Sequence, residues 1–178
     1  RPGLNSSSLS IQNAFSNTTD TDFDNELGFR VGVEAEFILP FNKNKWAILI
    51  EPTYQYFKSE KELTTPNPNE NVKADYKSIE LPLGVRHYFF LNASSKIFVN
   101  GLYVIDFSSN SNIHFDRRAD LEIKKTRKNF AFGLGYKSNN RYSLELRYQT
   151  SRDILGGYYL SWNSDYNTFS VIFGYSIF

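Results

Sequence analysis

The sequence predicts an all-β protein: a closed, eight-stranded, antiparallel up-and-down transmembrane β-barrel. Three observations predict it. Apolar and polar residues alternate with period two, the apolar side carries most of the aromatic rings, and the connections alternate between long and short. No segment has a convincing helical period, and no apolar run approaches the ~20 residues that a membrane helix needs. A helical membrane protein is therefore excluded.

The alternation defines eight strands, of which the last is the clearest. There the odd-numbered residues from Phe169 to Ile177 are apolar, and the even-numbered ones are small or polar apart from Ile172. Pro52 and Pro82 lie inside predicted strands, where proline removes a ladder hydrogen bond, so we expect bulges there or a shorter strand. The predicted strands cover residues 3–13, 29–39, 46–58, 74–91, 96–109, 127–137, 141–150 and 167–178.

The connections support a membrane orientation. Short turns rich in Asn, Ser and Lys alternate with four long polar segments, at residues 14–28, 59–73, 110–126 and 151–166. Outer-membrane barrels have short periplasmic turns and long external loops. This order places both termini on the short-turn side, so we expect both in the periplasm.

The number of rings indicates which face meets lipid. An eight-stranded barrel has room inside only for side chains or one small ligand, and the aromatic residues of the apolar face are too many to fit there. We therefore expect lipid outside the barrel and charge inside it. A lipocalin-like barrel that binds a small apolar ligand is the alternative. The predicted interior charge network is Arg30, Glu34, Glu36, Glu51, Glu80, Arg86, Glu145 and Arg147.

The residues offer little for catalysis or metal binding. There is no cysteine, and the only histidines are His87, predicted at the membrane interface, and His114 in the third long segment. His114 lies near Asp116 and several serines, which makes a loop-borne lipid acyltransferase the weaker alternative. Glu34 and Glu36 share a strand face, but inside a filled barrel they have no access to substrate. We expect no enzyme activity, no cofactor and no metal, and the net charge of +1 gives no reason to expect a nucleic-acid partner.

The third long segment also carries a basic cluster. Lys124, Lys125, Arg127 and Lys128 are candidates to bind lipopolysaccharide phosphates at the outer leaflet. The competing interpretation is a solvated loop, because Asp116, Asp120 and Glu122 are interspersed.

Several stretches resemble a known family. The segment 79–89 (IELPLGVRHYF) resembles a strand of the small outer-membrane β-barrel domains of Bacteroidota, a PorT-like group with OmpX-like architecture. The same family is resembled by the hairpin 132–148 and by the ending Tyr175–Phe178. The resemblance implies an outer-membrane location and implies that Tyr175 and Phe178 form the signal read by the barrel assembly machinery. Relatives often carry a periplasmic N-terminal segment, so we expect residues 1–178 to be the C-terminal barrel domain of a longer chain.

The function expected from these observations is non-enzymatic. The sequence predicts an integral outer-membrane barrel with a filled polar interior that acts as a structural element, an anchor or an accessory subunit of a larger complex. The expected partners are outer-membrane lipid, lipopolysaccharide and other outer-membrane or periplasmic proteins. Fold resemblance alone does not assign an activity.

Overall fold

The structure, a computed structural model, is an eight-stranded antiparallel ring. It describes residues 1–13, 21–63, 70–109, 111–115, 121–123, 125–155 and 162–177. Each strand pairs with the next, and β1 pairs with β8 to close the ring. The strands are β1 (Pro2–Asn13), β2 (Thr21–Gly32 and Ala35–Ile38), β3 (Trp46–Ile50 and Thr53–Leu63), β4 (Glu70–Phe90), β5 (Ser95–Ser108), β6 (Thr126–Ser138), β7 (Tyr142–Arg152) and β8 (Trp162–Tyr175).

The expected bulge at Pro82 is wrong. Pro82 pairs with Val104 in unbroken register, and the interruption falls instead in β3, at Glu51–Pro52. The same register continues on both sides of that interruption, with Ile50 opposite Leu83 and Thr53 opposite Glu80, so no residue is inserted. The Glu51 N–H still donates to the Pro82 carbonyl at 3.0 Å. The prolines therefore remove ladder bonds at one place without shifting the strands.

The strands extend further toward the long loops than the sequence predicted. β2 begins at Thr21, β4 begins at Glu70, and β8 begins at Trp162. Described outward residues of these extensions, such as Lys73 and Asp165, are polar and exposed, whereas the inward Tyr166 is buried. Ladder hydrogen bonds do not require an apolar outward face where the strand leaves the lipid. Within the third long segment, Asn112–Phe115 forms a short strand that pairs with β4 and with Leu121–Glu122.

The faces of the barrel are arranged as the number of aromatic side chains predicted, with the apolar face outside and the charged face inside. Phe132, Leu146 and Phe173 are 58%, 44% and 47% exposed on the outside, whereas Glu145 and Arg147 are 0% and 1% exposed inside. A lipocalin-like arrangement requires the reverse, so that alternative is wrong. Among the described residues, no helix is long and apolar enough to cross a membrane.

The exterior near the short turns is aromatic. The His87 ring lies between Trp46 and Phe89, with ring centroids 4.5 and 4.6 Å away. His87 is therefore packed among interfacial rings, as the sequence predicted. In the turn after β6, Asn139 and Asn140 adopt φ of 49° and 53°, a left-handed conformation that asparagine tolerates well.

Candidate functional site: the barrel interior and its long-loop mouth

The half of the interior nearest the short turns is filled by an ionic layer of arginines and glutamates. The Arg86 guanidinium binds both carboxylate oxygens of Glu34 at 2.9 Å, and its Nε donates to Asn100 Oδ1 at 2.7 Å. Arg86 also lies 4.2 Å from the centre of the Phe98 ring. Such a two-pronged contact fixes the planes of both groups and satisfies several donors at once.

Arg147 bridges two carboxylates on different strands. Its Nε donates to Glu145 Oε1 at 2.7 Å, and its Nη2 lies 2.7 Å from Glu51 Oε2. The Arg1 guanidinium reaches into the same layer, where it contacts Glu34 and Glu145 and lies 3.2 Å from Glu51. Four barrel strands and the residue before β1 are therefore linked through charge.

The end of the interior next to the short turns is closed by a smaller cluster. Glu36 accepts a hydrogen bond from the Tyr88 hydroxyl and lies 3.7 Å from Lys137 Nζ. The Lys96 ammonium lies 4.1 Å from the centre of the Tyr88 ring. A cation over an aromatic face is favourable when water is largely excluded, so Lys96 is stabilised beside that ring.

A second polar cluster lies further toward the long loops, centred on Arg152. Its guanidinium lies 3.0 Å from Glu80 and 3.0 Å from Asp106, carboxylates that face each other on β4 and β5. Arg152 also lies 4.6 Å from the centre of the Tyr166 ring, and the Tyr76 hydroxyl donates to Asp106. All of these groups are buried, so their charges depend on one another rather than on water.

Above this cluster the interior becomes apolar. Residues of the long loops, Ile113, Ile123, Ile154 and Leu155, pack against barrel side chains and are at most 7% exposed. We call this group the apolar cap; it comprises Leu9, Phe57, Ala74, Tyr76, Ile113, Ile123, Ile154, Leu155 and Tyr166. Burial of these side chains stabilises a closed mouth at the long-loop end of the barrel.

Hydrogen bonds hold the fourth loop in the apolar cap. Asp153 Oδ1 accepts bonds from the Leu155 N–H at 3.0 Å and from the Ser164 hydroxyl at 2.7 Å. The Arg127 guanidinium donates to the Ile154 carbonyl at 2.5 Å. The bend at residues 153–155 is therefore fixed from both sides.

The eight residues of the predicted interior network all lie on the inward side of the barrel. Arg30 lies further from its carboxylate than the other arginines do, with its Nη2 3.6 Å from Glu51 Oε1. Glu80 belongs to the second polar cluster and not to the ionic layer. The prediction for Arg127 is wrong: it occupies an inward position of β6, is 8% exposed and bonds to the fourth loop, so it cannot reach lipid phosphates.

The other predicted residues are distributed as follows. Lys125 and Lys128 are exposed on the outside, and Lys124 lies outside the described residues. Tyr175 is 54% exposed at the end of β8, and Phe178 lies outside the described residues. His114 is exposed in its short strand, opposite Lys73, whereas its proposed partner Asp116 lies outside the described residues.

The sequence analysis missed residues that carry much of the interior. Arg152 and Tyr166 fall in the long polar segment 151–166, and Arg1 precedes the first predicted strand. The alternation itself could have placed Tyr166, which continues the inward series of Ser170. It could not have placed Arg152, because a register shift between Gln149 and Arg152 turns this residue inward against the alternation of Glu145 and Arg147. Within the described residues, no group of three or more His, Asp or Glu side chains is placed to hold a metal ion.

The outer surface beyond the aromatic rim of β3 and β4 is polar. Lys58 Nζ lies 3.0 Å from Glu60 and Lys73 Nζ lies 3.6 Å from the same carboxylate. The hydrogen bond and charge of Lys58 lower the pKa of the Glu60 carboxyl below its ordinary value. Because this pair is fully exposed, it contributes little to stability.

Comparisons with known proteins find the same fold. The crystal structure of the outer membrane protein OprG from Pseudomonas aeruginosa is similar over 97% of this chain and 93% of that chain, with a TM-score of 0.53 and 10% identity. Two lower-scoring similarities are to Ail, the attachment invasion locus protein of Yersinia pestis (TM-score 0.43, 12% identity, 98% and 95% coverage), and to the outer membrane enzyme PagL (TM-score 0.44, 12% identity, 93% and 97% coverage). No protein-family model matches the chain, and no curated protein matches it.

The class of protein follows from the fold and its surfaces. A closed ring of eight strands, apolar outside and ionic inside, with the fold of OprG, is an integral β-barrel protein of the outer-membrane type. The similarity is one of fold, so the particular activity has to be argued from the interior and the loops.

Proposed function

We propose that this protein is a closed, non-conducting barrel of the bacterial outer membrane, with both termini in the periplasm. It serves as a structural element, an anchor or an accessory subunit of a larger envelope complex, and it is not an enzyme. The supporting observation is the filled interior, in which the ionic layer, the Arg152 cluster and the apolar cap follow one another along the barrel axis.

The filled interior favours anchoring over transport. A conducting pore of this class needs a water-filled lumen, which larger barrels have. Here the charges that point inward are buried and bound to one another, for example Arg147 with Glu51 and Glu145. Opening a path for water or ions would separate these pairs, and removing a buried charge from its partner is costly. The same burial keeps the inward carboxylates from a substrate.

Conductance and lipid chemistry test this proposal together. The purified protein, reconstituted into a planar bilayer, is expected to leave the current at the level of a protein-free membrane. Lipid A from cells with and without the protein is expected to have the same mass spectrum. Resolved single-channel steps would contradict the closed barrel, and an acyl-chain change that is lost in His114→Ala would establish an enzyme instead.

A tagged protein extracted in mild detergent tests the accessory role. We expect it to migrate on a native gel at a larger mass than the same protein refolded from pure material, because a subunit retains its partners. Equal migration of the two samples would contradict the accessory role and leave an isolated anchor.

We further propose that Lys125 and Lys128, with Lys124 as predicted from the sequence, contact lipopolysaccharide phosphates. The support is that Lys125 and Lys128 are exposed at the long-loop end, and Lys128 lies on the outward face of β6 next to Phe130. Replacing both by Gln should lower the lipopolysaccharide that copurifies with the protein. Gln at Lys43 and Lys45, on the opposite end, is the matched control, and an equal loss in both variants would contradict the contact.

A further inference from the structure

The outward face of the barrel changes from apolar to charged at the long-loop end. On β3, β4 and β6 the first charged outward residue beyond the apolar run is a lysine: Lys58, Lys77 and Lys128, respectively. On β8 the corresponding residue is Asp165. The boundary of the lipid-facing surface is therefore basic on the side of β3, β4 and β6 and acidic at β8.

Basic residues flank the end of β5 on both sides. The Ser109 N–H donates to the Lys77 carbonyl of β4 at 2.8 Å, and the Ser108 N–H donates to the carbonyl of Lys125, just before β6, at 3.0 Å. Neighbouring strands lie about 4.8 Å apart, so β4 and β6 are roughly 10 Å apart across β5. At that spacing, long lysine side chains from both strands reach one ligand over β5.

Lys77 is held in place by its neighbours. The Ser111 hydroxyl accepts a hydrogen bond from the Lys77 N–H at 2.8 Å and donates to the Lys77 carbonyl at 2.9 Å. The Lys77 ammonium lies 5.7 Å from the centre of the Tyr56 ring. The side chain is nevertheless 39% exposed, so its charge is open to the exterior.

Below these lysines the outward face is apolar. Phe107 of β5 is 45% exposed and pairs with Ile79 of β4, which is 55% exposed. Ile105, two residues further along β5, pairs with Lys128. Positive charge above exposed apolar groups on three adjacent strands matches an amphiphile with an anionic head and apolar chains.

The lysines at this boundary outnumber the carboxylates that pair with them. Lys77 Nζ lies 3.2 Å from Asp75. None of the described carboxylates forms an ion pair with Lys125 or Lys128, which are both exposed. An exposed ion pair is weak, so Asp75 does not prevent Lys77 from binding an anion. A phosphate accepts several charge-assisted hydrogen bonds at once, which suits such a group of ammonium donors.

We propose that Lys77, Lys125 and Lys128 form one site for the phosphate of lipid A in the outer leaflet, whose acyl chains lie against Phe107 and Ile79. The inference rests on the proposed contact of Lys125 and Lys128 with lipopolysaccharide, to which it adds Lys77 of another strand and the apolar surface beneath. Free phosphate would use the lysines alone, whereas a lipid uses both parts of the site.

Nuclear magnetic resonance on the isotope-labelled protein in detergent micelles, titrated with purified lipid A, tests the site. We expect the side-chain signals of Lys77, Lys125 and Lys128 to shift with one dissociation constant, and the acyl chains to contact the Phe107 ring. Lys77→Gln should weaken binding by about three- to fivefold, the effect of one exposed charge contact, and Lys77→Arg should retain it. Lys73→Gln is the matched control, because Lys73 lies on the same face of β4 further from the lipid and pairs with Glu60. The heat-dependent gel shift confirms that each variant is folded.

Four outcomes would overturn the inference. An unchanged dissociation constant in Lys77→Gln, with weaker binding in Lys125→Gln and Lys128→Gln, would remove Lys77 and leave the proposed lipopolysaccharide contact standing. Unchanged binding in all three variants would remove both. Equal weakening in Lys73→Gln would show general attraction to a basic surface. Inorganic phosphate that binds as tightly as lipid A would show a free-anion site without an apolar part.

Discussion

Removal of the Arg147 guanidinium should be among the most destabilising single changes in the barrel interior. Arg147 is 1% exposed and lies 2.7 Å from each of two carboxylates, Glu145 and Glu51. Arg147→Met keeps the length of the apolar stem and leaves both carboxylates buried with fewer partners. Loss of one partner of a buried pair typically costs about 3–5 kcal/mol. Because Arg1 still contacts both acids, we expect a loss near the lower end, about 3 kcal/mol, or roughly a hundredfold in the folding equilibrium.

The assay is a urea titration of folding into phospholipid vesicles, followed by tryptophan fluorescence and by the heat-dependent shift of the barrel on gels. Arg141→Met, in the exposed turn before β7, is the matched control and should change stability by less than about 0.5 kcal/mol. The double variant Glu145→Gln with Arg147→Met should recover part of the loss, because it removes one uncompensated charge. A loss below about 0.5 kcal/mol for Arg147→Met would refute the argument that charge pairing holds the interior together.

Three further predictions follow from the surfaces, the packing and the loops. Leu134→Arg, on the lipid face, should lose about 2–4 kcal/mol in the same vesicle assay, whereas Thr126→Arg at the start of β6 should lose less; equal losses would contradict the assigned lipid face. Gly135→Ala should lower the free energy of unfolding by about 1–3 kcal/mol, because a Cβ there would lie 2.2 Å from the Phe98 ring. Adding Phe98→Leu to Gly135→Ala should restore stability, and the absence of this rescue would contradict the contact. In a carbon-13 titration, the Glu60 carboxyl should titrate below its ordinary pKa, and in Lys58→Gln its pKa should return toward the ordinary value. Because the positive Lys58 favours the charged carboxylate, the stabilisation is present at neutral pH and is lost as pH falls through the lowered pKa. An unchanged titration in Lys58→Gln would contradict the pairing.

The sequence predicted the fold because a lipid-spanning strand has two chemically different faces. Residues such as Phe132 and Gly133, or Leu146 and Arg147, differ sharply in polarity from one position to the next, and the structure places them on opposite sides of the wall. The strand number and the inward charges follow directly from this contrast. Strand ends did not follow, because beyond the lipid the outward residues, such as Lys58 and Lys73, are charged, and the apolar outward face that marks a strand in the sequence ends there. The ladder nevertheless continues to the pair of Leu63 and Glu70.

The interior clusters were harder to predict for a different reason. Alternation gives the side of the wall on which a residue lies, but not its height or its partner across the lumen. Glu80 was grouped with the other inward charges, yet its partner is Arg152, which lies 72 positions away in the sequence. Arg127 was assigned to the loop surface from charge alone, although it begins the predicted strand 127–137. Its position relative to the outward Lys128 and Phe130 places it on the inward side, where it bonds to the Ile154 carbonyl.

The division of the interior into polar and apolar parts explains how the side chains and loops of a small barrel can fill its interior. If the whole interior were apolar, either face of each strand could lie against lipid, and the inward and outward faces could exchange. Buried charge on the inward face prevents this exchange. At the long-loop mouth both faces of the strands lie beyond the lipid, so apolar loop residues can cover the opening there without making the inward face suitable for lipid. Ile154 and Leu155, held by Asp153 and Arg127, occupy this position. Asp153→Ala should therefore speed amide exchange at Leu155 and leave that of Glu145, deep in the ionic layer, unchanged. Equal acceleration at both amides would mean that the mouth and the ionic layer open as one unit, which is opposite to the independence argued here.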